Sequence, residues 1–77
     1  MIKILLFAQL QEESGHEQIE SDKKEISVAD LIDWLHQHYT LPSLSNAMIA
    51  INETFATEQD IVKEGDTIAF IPPVSGG

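Results

Sequence analysis

The sequence predicts an α+β fold in which a mixed sheet of about four to five strands packs against one main helix. Two apolar runs with few structure breakers lie near the two ends of the chain, and one amphipathic helical segment lies between them. The 77 residues, 43% of them hydrophobic, suffice for one small ordered domain with a limited core, spanning residues 1–77.

Residues 2–9 predict the first strand, because they are rich in Ile and Leu and contain no Gly or Pro. Alternation along a strand places one set on the core face: Ile2, Ile4, Leu6 and Ala8. Lys3 should face solvent on the opposite side. Leu5 and Phe7 share that side, so they are expected on a partly open face that could serve as a docking surface.

The next segments predict a connection and a hairpin partner. Residues 10–16 form a connection with a short helical turn that Gly15 ends. Residues 17–21 predict a second strand that pairs with the first, although only Ile19 among them is strongly apolar. Residues 22–25 predict a polar loop.

The main helix is predicted to begin at Ser27 and to end at Leu41-Pro42. Ser27 is a favourable N-cap, and negative charge such as that of Asp30 is favoured in the first turn. The apolar residues recur at helical spacing: Val28, Leu31, Ile32, Leu35 and Tyr39. This stripe is expected to cover one face of the sheet.

The second half of the chain predicts more strands. Residues 47–51 are expected to form a buried strand, 52–53 a turn and 54–56 a short returning strand. Residues 61–66 predict a turn into a final strand over 66–71, which should be central and well covered. This order suits a β-grasp fold, with the first and last strands side by side at the centre of the sheet.

The stretch after the last strand predicts a protruding C-terminal tail over residues 72–77. Pro72 and Pro73 have no backbone N–H, so the segment cannot continue a sheet ladder and favours a stiff polyproline spacer. Gly76 and Gly77 lack a Cβ, so their backbone could enter a channel too narrow for other residues. The tail is therefore expected to be functional rather than frayed.

Composition excludes several classes of function. The net charge of −9, with four lysines and no arginine, argues against binding to nucleic acid or to anionic membranes. Charge alone fits a solvated acidic surface and a surface for a basic partner equally well. The chain has no cysteine, which excludes disulfides, a thiolate nucleophile and a cysteine-based metal site.

No side-chain constellation in the sequence predicts a catalytic or metal centre. His16, His36 and His38 are not spaced as ligands and are expected on the surface. The group that remains is the carboxylate expected on Gly77, which is ionised near neutral pH and a poor electrophile. Adenylylation by ATP would activate it, and the nucleotide site must lie in a second enzyme because this chain has no phosphate-binding motif.

Both ends of the chain resemble one known family. The C-terminal Phe-Ile-Pro-Pro-Val-Ser-Gly-Gly, residues 70–77, closely resembles the C-terminus of the MoaD family, the ubiquitin-like sulfur carriers that form the small subunit of molybdopterin synthase. The Phe-Ala-Gln-Leu-Gln-Glu-Glu-Ser-Gly run at 7–15 is similar to the N-terminal pattern of the same family. The resemblance implies the ubiquitin-like β-grasp fold.

The resemblance also implies a function and partners. Gly77 would be adenylylated by an E1-like adenylyltransferase, sulfurated by a persulfide system to a thiocarboxylate, and would donate sulfur to cyclic pyranopterin monophosphate. The tail (Pro72, Pro73, Val74, Ser75, Gly76 and Gly77) would enter the large subunit of molybdopterin synthase.

The assembly that the resemblance implies is a heterotetramer of two small and two large subunits in the cytoplasm. Phe7, Phe55 and Ile71 would form the apolar patch that docks on the partner. The carrier itself would bind no cofactor or metal, and the partner adenylyltransferase would consume the ATP. The catalytic site is expected in the large subunit, so the carrier would not be an enzyme by itself.

Three alternatives stay open at this point. A thiamine-pathway sulfur carrier shares the fold and the Gly-Gly end, but such chains are shorter and lack the Pro-Pro-Val-Ser lead-in. A ubiquitin-like protein modifier would use the same activated tail to form an isopeptide bond. A pure binding domain would have an inert tail and would lose nothing on removal of Gly77.

Overall fold

The computed structural model describes residues 1–73, which form seven strands, two α-helices and one 3₁₀ helix. The elements in chain order are β1 (Ile2–Leu6), α1 (Gln9–Ser14), β2 (Gln18–Ser21), β3 (Glu25–Ser27), α2 (Val28–His38), the 3₁₀ helix (Pro42–Asn46), β4 (Met48–Ile51), β5 (Thr54–Ala56), β6 (Ile61–Lys63) and β7 (Thr67–Ile71).

Five of the strands form one mixed sheet in the order β2-β1-β7-β4-β5. The first and last strands run parallel at its centre, where Ile4 lies opposite Ile68 and Leu6 lies opposite Phe70. The other neighbouring pairs in this sheet are antiparallel. The predicted mixed sheet with β1 beside β7 is therefore confirmed.

A second, two-stranded sheet joins β3 to β6, and the sequence analysis missed it. Residues 22–25 were expected to be a loop and 61–66 a turn, yet Glu25 and Ile61–Lys63 lie in antiparallel strands with Ile26 opposite Val62. Strands of three residues are too short to show a clear alternation of apolar and polar residues. Burial of Val62 in the core accompanies this pairing.

Helix α2 begins as predicted, because the Ser27 hydroxyl accepts a hydrogen bond of 3.1 Å from the backbone N–H of Asp30. The helix ends at His38, where the N–H of Tyr39 donates to the carbonyl of Leu35 at 2.8 Å. The predicted apolar stripe is buried or half-buried: Val28, Leu31, Ile32, Leu35 and Tyr39. It forms part of the core that covers one sheet face.

The two central strands bury only one of their faces. Ile68 and Phe70 of β7 are fully buried, whereas the alternate residues are half-buried: Thr67, Ala69 and Ile71. The expectation that this strand is well covered is therefore wrong for its second face. No element of the described chain packs a continuous apolar layer there, so that face stays open.

The first strand is shorter than predicted and ends at Leu6. Ala8 was expected on the core face but is exposed, with a positive φ of 52° that lies outside strand geometry. The chain turns there into α1, which Gly15 ends in the left-handed conformation as predicted. Alternation therefore assigns core positions correctly only as far as the strand continues.

Helix α1 is tied to the 3₁₀ helix by one carboxylate. Glu13 Oε1 accepts from the backbone N–H of Ser43 at 3.1 Å, and Glu13 Oε2 accepts from the Ser43 hydroxyl at 2.6 Å. Charge-assisted bonds of this kind are stronger than neutral ones. They hold together two short elements that are far apart in sequence.

Substitution of the helix cap tests this description of α2. Ser27→Ala removes the acceptor for the N–H of Asp30, so the free energy of unfolding should fall by about 1 kcal/mol in chemical denaturation. Ser45→Ala, at an exposed serine of the 3₁₀ helix, is the matched control and should change it little. Equal stability of the two variants would contradict the capping role.

Candidate functional site

The open face of the five-stranded sheet forms a groove with a volume of about 330 Å³. Strand pairing places Leu5, Ala69, Ala50 and Phe55 in one row across β1, β7, β4 and β5. The groove is lined by nine residues: Leu5, Phe7, Ala50, Asn52, Glu53, Phe55, Thr67, Ala69 and Ile71. Most of its lining is apolar, which is typical of a surface that another molecule covers.

The three residues predicted to form a docking patch all line this groove. Phe7 follows β1, Phe55 lies on β5 and Ile71 ends β7, so distant parts of the chain meet on one face. Phe55 is 75% exposed and Phe7 is 44% exposed. The structure brings these residues together, and their contact with a partner stays a prediction.

Small side chains make the groove hollow, and the sequence analysis did not identify them. Ala50 and Ala69 lie opposite each other on β4 and β7, between Leu5 on one side and Phe55 on the other. A methyl side chain leaves the centre of the row low between larger neighbours. The sequence feature that could have predicted the hollow is an alanine on the open face of each of the two adjacent strands β4 and β7.

The groove lies beside the point where the chain leaves the sheet. Ile71 is the last residue of β7 and lines the groove. Pro72 is buried, although the predicted protruding tail begins with it, and Pro73 is exposed. The other predicted tail residues, including Gly76 and Gly77, lie outside the described residues.

One end of the groove is formed by the turn between β4 and β5. Asn52 and Glu53 both have positive φ, 49° and 71°, and Ile51 pairs with Thr54 across them. This is a two-residue hairpin turn of type I′, which confirms the predicted turn. A left-handed conformation costs a residue such as Glu about 1–2 kcal/mol, whereas Gly adopts it readily.

A polar network fixes this turn to the start of β7. The side-chain amide of Asn52 donates to Asp66 Oδ1 at 3.0 Å, and Asn52 Oδ1 accepts from the backbone N–H of Thr67 at 3.0 Å. Asp66 Oδ2 accepts from the N–H of Lys63 at 2.9 Å. The bond from Asn52, followed by that from Lys63, holds the pKa of Asp66 below its ordinary value.

Within residues 1–73, the structure shows no group of three or more His, Cys, Asp and Glu residues placed to hold a metal ion. All three histidines are exposed, as predicted. His38 packs against Trp34 with ring centroids 4.7 Å apart, and His16 meets Tyr39 edge-on at 5.8 Å. None of the helices in this part of the chain is long and apolar enough to span a membrane.

A mixed five-stranded sheet with one main helix across a single face defines a protein of the ubiquitin-like β-grasp class. The model of the ThiS family matches residues 4–77. The chain belongs to this family, and the match covers nearly the whole length of the chain.

One relative is similar in sequence over nearly the whole chain, and two solved structures are similar in fold. The molybdopterin synthase sulfur carrier subunit of Drosophila yakuba is 35% identical, over 99% of this chain and 90% of that protein. The crystal structure of SAMP1 from Haloferax volcanii has a TM-score of 0.82 at 24% identity, covering 99% of this chain and 98% of SAMP1. A complex of subunits 1 and 2 of the molybdopterin-converting factor from Helicobacter pylori contains a chain with a TM-score of 0.72 at 23% identity, with coverage of 99% and 97%.

The lowered pKa of Asp66 predicts a pH dependence of stability. A carboxylate whose pKa is lower in the folded state stabilises that state above its unfolded pKa of about 4, and loses this contribution as the pH falls through the folded value. Asp66→Asn should therefore destabilise the protein at pH 7, and the difference from the wild type should shrink in acid. Denaturation at a series of pH values measures this.

Asp33→Asn is the control, because Asp33 is exposed on α2 and its side chain forms no hydrogen bond or ion pair with any residue in the described range. A difference between wild type and Asp66→Asn that stays constant down to pH 2 would contradict the assigned role of Asp66.

Proposed function

We propose that this chain is the sulfur carrier subunit of a molybdopterin synthase. The observation that carries the proposal is the position of Ile71, which both ends the central strand β7 and lines the apolar groove. Strand β7 therefore ends beside a surface suited to a partner. The full-length similarity to a protein named as such a carrier supports the same function.

The chemistry would take place at the carboxylate of Gly77. An ionised carboxylate is a poor electrophile, so ATP must first convert it to an acyl adenylate with release of pyrophosphate. The terminal sulfur of a persulfide then attacks the carbonyl carbon and displaces AMP, which gives an acyl disulfide. A thiol of the donor system cleaves the S–S bond of that acyl disulfide, so that a new disulfide forms on the donor and the thiocarboxylate stays on the carrier. An adenylyltransferase and a persulfide system would supply the nucleotide site and the sulfur, so the carrier binds no cofactor.

Sulfur transfer would take place in the large subunit. The carrier's groove docks on that subunit, while the chain from Pro73 onward enters a narrow channel that Gly76 and Gly77 fit because they lack a Cβ. There the thiocarboxylate donates its sulfur to cyclic pyranopterin monophosphate. A dithiolene needs two sulfurs, so two loaded carriers must be used for each molecule of product.

The charge of the chain supports docking on basic partners. A net charge of −9 favours approach to a positively charged surface and raises the rate of encounter at low salt.

We also propose a heterotetramer of two carriers with two large subunits, and a cytoplasmic location where ATP is available.

Intact mass spectrometry tests the carrier chemistry. After incubation with ATP, a cognate adenylyltransferase and a sulfur source, the chain should gain the mass of a sulfur-for-oxygen exchange. Fragmentation of the C-terminal peptide should place the exchange on Gly77 and separate it from methionine oxidation. A chain without Gly77 is the control and should retain its fold but gain no sulfur.

An unmodified Gly77, with the same enzyme active on another carrier, would contradict the proposal and favour an inert-tail binding domain. A thiocarboxylate that forms but does not convert the pyranopterin with a large subunit would favour the thiamine-pathway alternative. Appearance of an isopeptide-linked conjugate would instead indicate a protein modifier.

Substitutions in the groove test the docking surface. Phe7→Ala and Phe55→Ala each remove a large exposed apolar side chain from the groove, so affinity for the large subunit should fall by about tenfold or more, as for central interface aromatics. Isothermal titration with the two subunits measures this.

Ile61→Ala is the matched control, because Ile61 is 46% exposed on β6 and does not line the groove. Its affinity for the large subunit should stay unchanged. Equal affinities for the groove variants and for Ile61→Ala would show that the partner docks elsewhere.

A further inference from the structure

Glu53 is the one charged residue among the nine that line the groove. Its polar neighbour Asn52 already uses its side-chain amide on Asp66 and on the N–H of Thr67. Glu53 itself forms no side-chain hydrogen bond or ion pair with any of residues 1–73. Its carboxylate is therefore available at the rim of an apolar surface.

The backbone at Glu53 is unfavourable for this residue type. Its φ of 71° belongs to the second position of a type I′ turn, where glycine is preferred. Glutamate does not relieve that strain, and its side chain makes no compensating hydrogen bond or ion pair within residues 1–73. Strained backbone of this kind clusters at functional sites.

We propose that Glu53 forms an ion pair with a Lys or Arg side chain of the large subunit that docks in the groove. The inference rests on the proposed function and adds the contact that selects the partner. The apolar residues of the groove bury surface against any apolar partner and do not select its charge. The Glu53 carboxylate favours a partner with a cationic side chain at this end of the groove.

A second copy of the chain is a poorer occupant of the groove. Each copy carries a net charge of −9, so pairing would bring two strongly acidic surfaces together. The chain offers four lysines in all and no arginine to offset this. A basic partner removes the repulsion and gives Glu53 its counter-charge.

The test compares the affinity of the large subunit for the wild-type chain and for Glu53→Gln at low and at high salt. The substitution keeps the size and removes the charge, so affinity at low salt should fall about three- to tenfold, as for a partly desolvated ion pair. The difference should shrink at high salt because ions screen the pair. Glu25→Gln, at an exposed glutamate on β3 outside the groove, should bind like the wild type.

Glu53→Gly separates binding from folding. Glycine adopts the positive φ without strain, so this variant should resist denaturant better than the wild type. It lacks the carboxylate, so it should bind the large subunit as weakly as Glu53→Gln does. Gain of stability together with loss of affinity is the expected result.

Wild-type affinity and salt dependence in both Glu53 variants would overturn this inference and leave the proposed function standing. Failure of the wild-type chain to bind the large subunit would overturn both. Analytical sedimentation of the chain alone tests whether a second copy binds in the groove. Self-association that Glu53→Gln abolishes would show that a second copy binds there, and would overturn the inference.

Discussion

The parallel pairing of β1 with β7 is the constraint on which the rest of the structure depends. It joins residues from opposite ends of the chain, so closing it orders nearly the whole domain. Ile4 and Leu6 lie opposite Ile68 and Phe70, and the four buried side chains give the helix an apolar surface to cover. A shift of one residue would reverse both faces, so the same pairing fixes the register of the groove.

The two faces of these central strands have different purposes. Bulky apolar side chains fill the covered face, and burial there supplies most of the favourable free energy of folding. On the other face, Ala50 and Ala69 keep the centre low while Phe7 and Phe55 remain exposed. The domain thus leaves an apolar surface uncovered, which lowers its solubility. A role in binding a partner explains why that surface is present.

The polar end of the groove is built to be rigid. Asn52 and Asp66 link the β4–β5 turn to the beginning of β7, so the turn does not depend on its own residues alone. That support allows Glu53 to stay in a left-handed conformation that it would avoid in a free chain. The rim of the groove and the strand that leads to the C-terminal tail are consequently parts of one unit.

The sequence by itself determined the mixed sheet, the central position of β7, the helix start at Ser27 and the identity of Phe7, Phe55 and Ile71 as surface candidates. Most of these features depend on local signals, namely alternation, helical spacing and a capping hydroxyl, whereas the choice of Phe55 and Ile71 follows from the family resemblance. Only the tertiary structure decided the β3–β6 pair, the end of β1 before Ala8 and the hollow between Ala50 and Ala69. Each of these depends on pairing between residues far apart in sequence, and such contacts leave no periodic pattern in a segment of three residues or in a single small side chain.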